Sequence, residues 1–83
     1  MSMDITPYVE RLRTDLLAAA EGSGPDTVDA ATKLGFALDP AVRLAMMEAL
    51  SHAAAEITAE MEAGSVDVRL DGRDLAFVVE YLT

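Results

Sequence analysis

The sequence predicts an α+β fold that is mostly helical, with three helices followed by a C-terminal β-hairpin. Three observations carry this. Thr6-Pro7 and Asp39-Pro40 each place a capping residue before a proline, as at helix starts. After Gly64 the apolar period changes from helical to two. Asp71-Gly72 then supplies a tight-turn dipeptide between two apolar runs. Eighty-three residues suffice for a single small domain, residues 1–83.

The first helix is expected over about 7–21. Its apolar stripe is Val9, Leu12, Leu16 and Ala19 or Ala20, with Arg11, Arg13 and Asp15 on the other side. Gly22-Ser23-Gly24-Pro25 ends it, because glycine accepts the left-handed conformation of a helix terminus and proline opens the next segment. A second helix over about 26–34 carries Val28, Ala31 and Leu34, with Gly35 placed as its terminator. The third, over about 40–63, is unbroken between Pro40 and Gly64 and would form a rod of roughly 36 Å. Its stripe reads Met46, Leu50, Ala53, Ile57 and Met61, flanked by Val42, Met47 and Ala54. The rod is longer than the first helix it would pack against, so part of that stripe is expected to be covered by a second subunit. In the hairpin, about 65–81, Val66, Val68 and Leu70 alternate with Asp67 and Arg69, and Leu75 to Tyr81 form the return strand. A hairpin alone is marginal in water, so this one should pack on the helices or pair with another chain.

Composition narrows the function. The chain is 52% apolar, which excludes wholesale disorder, yet fifteen of its residues are alanine and each buries little area. A chain of this size buries roughly 60% of its unfolded surface and gains from a further staple, and with no cysteine a disulfide is excluded. Fifteen acidic residues against six basic ones give a net charge of −9, which opposes direct nucleic-acid binding. No apolar run is long enough to span a bilayer, and Met1-Ser2-Met3-Asp4 has no signal-peptide character, so a cytoplasmic protein is the expectation.

Chemistry-bearing patterns are few. Glu48, His52, Glu56 and Glu60 recur every fourth residue and line one helix face, a spacing able to present carboxylate and imidazole to a divalent ion. A single histidine cannot build a closed zinc site, and di-metal bundles use Glu-x-x-His, so a solvated polar face is the simpler account. Asp67, Asp71 and Asp74 lack the order of a calcium loop and fit turn chemistry. Ser51 and His52 are sequence neighbours on different helical faces, and Gly22-Ser23-Gly24-Pro25 lacks the lysine of a phosphate loop, so neither a nucleophile nor a nucleotide site is expected. The expected protein is not an enzyme and needs no cofactor. The methionines, with Phe36, Leu44 and Leu50, suit core packing or an adaptable docking surface. For a homodimer or other protein partner, the interface residues expected are Met46, Met47, Leu50, Ile57 and Met61 on the third helix and Val66, Val68 and Phe77 in the hairpin.

Two stretches carry a family resemblance: Asp4-Ile-Thr-Pro-Tyr-Val-Glu-Arg-Leu-Arg, and Ala55-Glu-Ile-Thr-Ala-Glu-Met with Gly64-Ser-Val-Asp-Val-Arg-Leu-Asp-Gly-Arg-Asp-Leu-Ala-Phe-Val-Val. Together they resemble the N-terminal region of actinobacterial HicB-family antitoxin-like proteins. In that family a Pro-rich linker joins this region to a DNA-binding ribbon-helix-helix segment. Neither follows here before Thr83, so the resemblance implies the upstream module, with self-association or partner contact as its work, and no DNA-contacting residue. The rival expectations are a regulator acting on DNA, a small metal- or ligand-binding protein using Glu48 to Glu60, and an acidic mimic occupying a basic protein surface.

Overall fold

Proline opens every helix of this chain. The computed structural model describes residues 1–81, in the order β1 (Ser2–Asp4), α1 (Thr6–Ala20), α2 (Pro25–Ala37), α3 (Asp39–Glu60), β2 (Ser65–Asp71) and β3 (Asp74–Glu80). The last two residues of the expected domain lie outside the described ones. Pro7, Pro25 and Pro40 each stand in the first turn of a helix, where the missing N–H has no intrahelical partner to lose. The three helices and the C-terminal antiparallel hairpin make the α+β fold.

The residues expected as caps do other work. Thr6 is the first residue of α1, and its backbone N–H donates instead to Asp4 Oδ1 at 2.9 Å. Asp39 likewise lies within α3, following Leu38 at the N-cap. Its carboxylate accepts instead from two arginines, in charge-assisted hydrogen bonds.

Gly35 does not terminate α2. The helix continues to Ala37, and a Cβ at Gly35 would stand 3.2 Å from Arg13 Cγ, so the missing side chain admits Arg13 across the helix. What separates α2 from α3 is a single residue, Leu38, whose φ of −82° and ψ of −10° remain near helical. The Leu38 N–H donates to Leu34 O and the Val42 N–H to Leu38 O, both at 2.9 Å, so helical hydrogen bonds stand on either side of the junction, where Pro40 has no N–H to give. The two helices therefore form one rod. Thirty-six helical residues at 1.5 Å give about 54 Å, close to the 60 Å long dimension of the molecule.

The sheet has three strands rather than the two of a hairpin, in the order β1-β3-β2 and antiparallel throughout. β1 pairs Met3 with Leu75, and the Met1 carbonyl accepts from Phe77 N–H at 2.7 Å. Three residues with one apolar side chain show no alternation, so β1 takes its conformation from β3 rather than from its own pattern. In the hairpin Val68 faces Phe77 and Leu70 faces Leu75.

The core sits between α3 and the sheet. Ile5, Ala54, Val68 and Leu75 are buried, with Met3, Met46, Met47, Leu50, Val66 and Phe77 packed around them. At the other end Ala20 and Ala31 are buried as α1 lies against α2. Along the rod the covered positions are Ala31, Gly35, Asp39 and Arg43 toward α1, then Met46, Leu50, Ala54 and Thr58 toward the sheet. Spacings of four and three residues put them on one helical face.

Candidate functional site

The face next to that spine is apolar and open. Stepping back one residue from each covered position from Gly35 to Thr58 gives Leu34, Leu38 and Val42, then Ala45, Ala49 and Ala53, then Ile57. All are exposed except Val42, which is half-buried. Leu34, Leu38 and Ile57 keep 56%, 45% and 53% of their surface in contact with solvent. Beside Ile57, Ala53 and Met61 with the stems of Glu56 and Glu60 line a shallow groove of about 470 Å³.

Of the residues the sequence singles out for an interface, Val68 is buried. Met46, Met47, Leu50, Val66 and Phe77 pack half-buried against the core of the same chain. Met61 is half-buried at the groove, and Ile57 alone projects into solvent. Sequence reading merged Ala53 and Ile57 with the core stripe and missed the rest of the open flank, because it has the same period as that stripe, displaced by one residue, and its middle is alanine. The available signal was α3 itself, apolar at thirteen of twenty-two positions and so without a clear polar side. A helix of that kind is one designed for burial on more than one face.

The hairpin edge is guarded. Thr58 Oγ1 accepts from Val66 N–H at 2.9 Å, its own hydroxyl hydrogen having Ala54 O at 2.9 Å and Val66 O at 3.2 Å as acceptors, so α3 reaches over the free side of β2. Asp67 Oδ1 accepts from Val68 N–H at 2.9 Å. Two of the donors a further strand would need are therefore already engaged. On the other side of the sheet, residues Met1 to Asp4 cover β3 as far as Phe77.

An ionic joint ties α1 to the rod. Arg13 Nη1 donates to Asp39 Oδ2 at 2.9 Å, and Arg43 Nε to Asp39 Oδ1 at 2.7 Å. Arg43 Nη2 also donates to Thr6 Oγ1 at 3.2 Å, and the Arg13 guanidinium stands 4.9 Å from the centre of the Phe36 ring. The Arg43 hydrogen bond, supported by that from Arg13, holds the Asp39 carboxyl below the usual carboxylate range. Asp4 is lowered too, chiefly by the Thr6 backbone N–H. Arg43 Nη1 is buried and has no partner among the described residues.

The polar face resembles no metal centre. Glu48, His52 and Glu56 are exposed, and His52 Nε2 lies 3.5 Å from Glu56 Oε1 in a contact open to water. Among the described residues no group of three or more histidine and acidic side chains converges on a point. No helix among them is long and apolar enough to cross a membrane.

Comparison of the chain with family models, with curated proteins and with solved structures finds no match.

Proposed function

We propose that this chain is a non-catalytic self-association module, forming a homodimer through its helical rod. The observation that carries the proposal is surface. The chain exposes 6022 Å², where a compact monomer of its mass exposes about 4,800 Å². Its radius of gyration is 17.2 Å against about 12 Å for a compact chain of this length. The excess, about 1,200 Å², exceeds the roughly 800 Å² per partner that a standard stable interface buries. Much of the exposed apolar surface lies on the rod, where only one face is covered.

The resemblance to HicB-family antitoxin-like proteins fits the same reading, as a cytoplasmic assembly module of an antitoxin or regulator in which DNA contact belongs to another segment. The acidic surface, −9 overall, supports that division of labour.

Mass in solution, by light scattering over a concentration and salt series, tests the proposal. The expected result is twice the chain mass at micromolar concentration, with association strengthening as salt rises, because two copies of charge −9 repel and screening relieves the repulsion. A single-chain mass at all concentrations overturns it.

A further inference from the structure

We infer that a second copy docks antiparallel along the open flank of the rod, with the two-fold axis passing between Ala45 and Ala49. The inference rests on the self-association proposed above and assigns its surface and geometry.

Two surfaces of the molecule are suited to joining copies, the sheet edge and the flank. The edge is the poorer one. Thr58 and Asp67 occupy the Val66 and Val68 N–H groups, and a strand adding to β2 would have to displace both. The flank carries no backbone groups to satisfy and no charged side chain at its own positions from Leu34 to Ile57, with Glu56 and Glu60 at the rim of the groove.

Its pattern is self-complementary. A two-fold interface brings each patch against itself, so a projection at one end must find a recess at the other. Leu34 and Leu38 project at one end, and the groove beside Ile57 lies at the other. The midpoint between that leucine pair and Ile57 falls between Ala45 and Ala49. An axis there sets each Ile57 between the partner's Leu34 and the partner's Leu38, while those leucines enter the groove at Ala53 and Met61. The middle, Ala45 and Ala49, is narrow enough for two rods to come to the short end of the 8–10 Å range of helix spacings. The contact runs for about 35 Å, the span from Leu34 to Ile57. The partner thus fills a recess that one chain leaves open, and the area it covers draws on the excess surface that a lone chain exposes. A different protein could fill the groove, but only a second copy supplies its own projection at the matching distance from the same centre.

The test uses paired charge insertions on the full chain. Ala49→Glu places two carboxylates beside the axis, whereas Ala55→Glu adds the same charge to an exposed position off the flank. The expected result is that Ala49→Glu raises the dimer dissociation constant a hundredfold or more with unchanged circular dichroism, and Ala55→Glu shifts it less than threefold. Equal effects of the two overturn the assigned face, and a monomeric wild type overturns self-association itself. Cross-linking reads the geometry without a destabilising charge, because the natural chain has no cysteine. Leu34→Cys and Ile57→Cys chains, mixed and oxidised, should give the mixed disulfide dimer in at least fivefold preference to either homodimer. Preferential Leu34→Cys or Ile57→Cys homodimers would mean a parallel arrangement or another face, and would overturn the antiparallel one.

Discussion

The two ends of the rod are held by different physics. At the sheet end, Ile5 and Leu75 are fully buried and form with Ala54 and Val68 a core of mainly branched side chains. Along α1 and α2 the buried residues are Val9 and the small Ala20, Ala31 and Gly35, and an ionic joint of Arg13, Asp39 and Arg43 ties the helices together. Burial of apolar area gives the first end its stability, at about 25 cal/mol per Å². The second depends on a half-buried ion pair, whose net contribution is smaller and falls with salt. One helix thus runs from a well-anchored end to a loosely anchored one, and the α1–α2 arm is the part expected to open first.

That contrast breaks most visibly at Leu75. Leu75→Ala should cost about 2–5 kcal/mol, a large part of the stability of so small a domain, and a urea titration followed by circular dichroism would measure it. A loss under 1 kcal/mol would mean that the sheet end is not the anchor.

Thr58→Val should come next. It keeps the shape of the side chain but leaves the Val66 N–H without its acceptor, a loss of about 1–3 kcal/mol, and reopens the β2 edge. Light scattering of this variant should show higher-order species absent from the wild type, through strand pairing rather than the helix flank. A variant as stable and as discrete as wild type would show that the threonine is not a guard.

The smallest effect belongs to the joint. Asp39→Asn should lower stability by less than either of the other two near neutral pH, with faster hydrogen exchange in α2 than in α3. Its pH dependence has a definite sign. A carboxyl whose pKa is lower in the folded chain stabilises it fully above its unfolded pKa, and loses that contribution as pH falls through the folded value. The gap in melting temperature between wild type and Asp39→Asn should therefore be constant above about pH 5 and close on acidification below about pH 4. A gap that persists unchanged into strong acid would rule out ionisation of Asp39 as its source.

How much was legible follows from how each element gets its shape. The helices and the hairpin carry their instructions locally, in proline positions, apolar period and Asp71-Gly72, and their class was readable. β1 was not, since Ser2 to Asp4 become a strand only because β3 is beside them. Gly35 read as a stop because glycine usually is one, yet its role depends on Arg13, twenty-two residues away. The candidate site had the same difficulty. Met46, Met47 and Leu50 read as a stripe with no sign of what covers them, and the answer, a sheet from the same chain, left a parallel row of leucines and alanines as the open surface. Gly64 read as the end of the third helix, but α3 stops at Glu60 with Met61 as its C-cap; with φ of +90° and the Glu80 carbonyl oxygen where a Cβ would stand, the glycine serves the entry to β2 instead.

The pairing of Met3 with Leu75 also sets an order in time. The chain's first strand and its last are neighbours, and the most deeply buried contacts join Ile5 to residues near the opposite terminus. During synthesis the whole helical rod is made before Leu75 exists to meet Ile5. The helices can form early from local contacts, but the sheet must wait for a closure spanning nearly the full sequence, the kind of contact that slows folding. Until then Met46, Met47 and Leu50 have no sheet to cover them, and a nascent chain carries its stickiest surface bare until β3 is made.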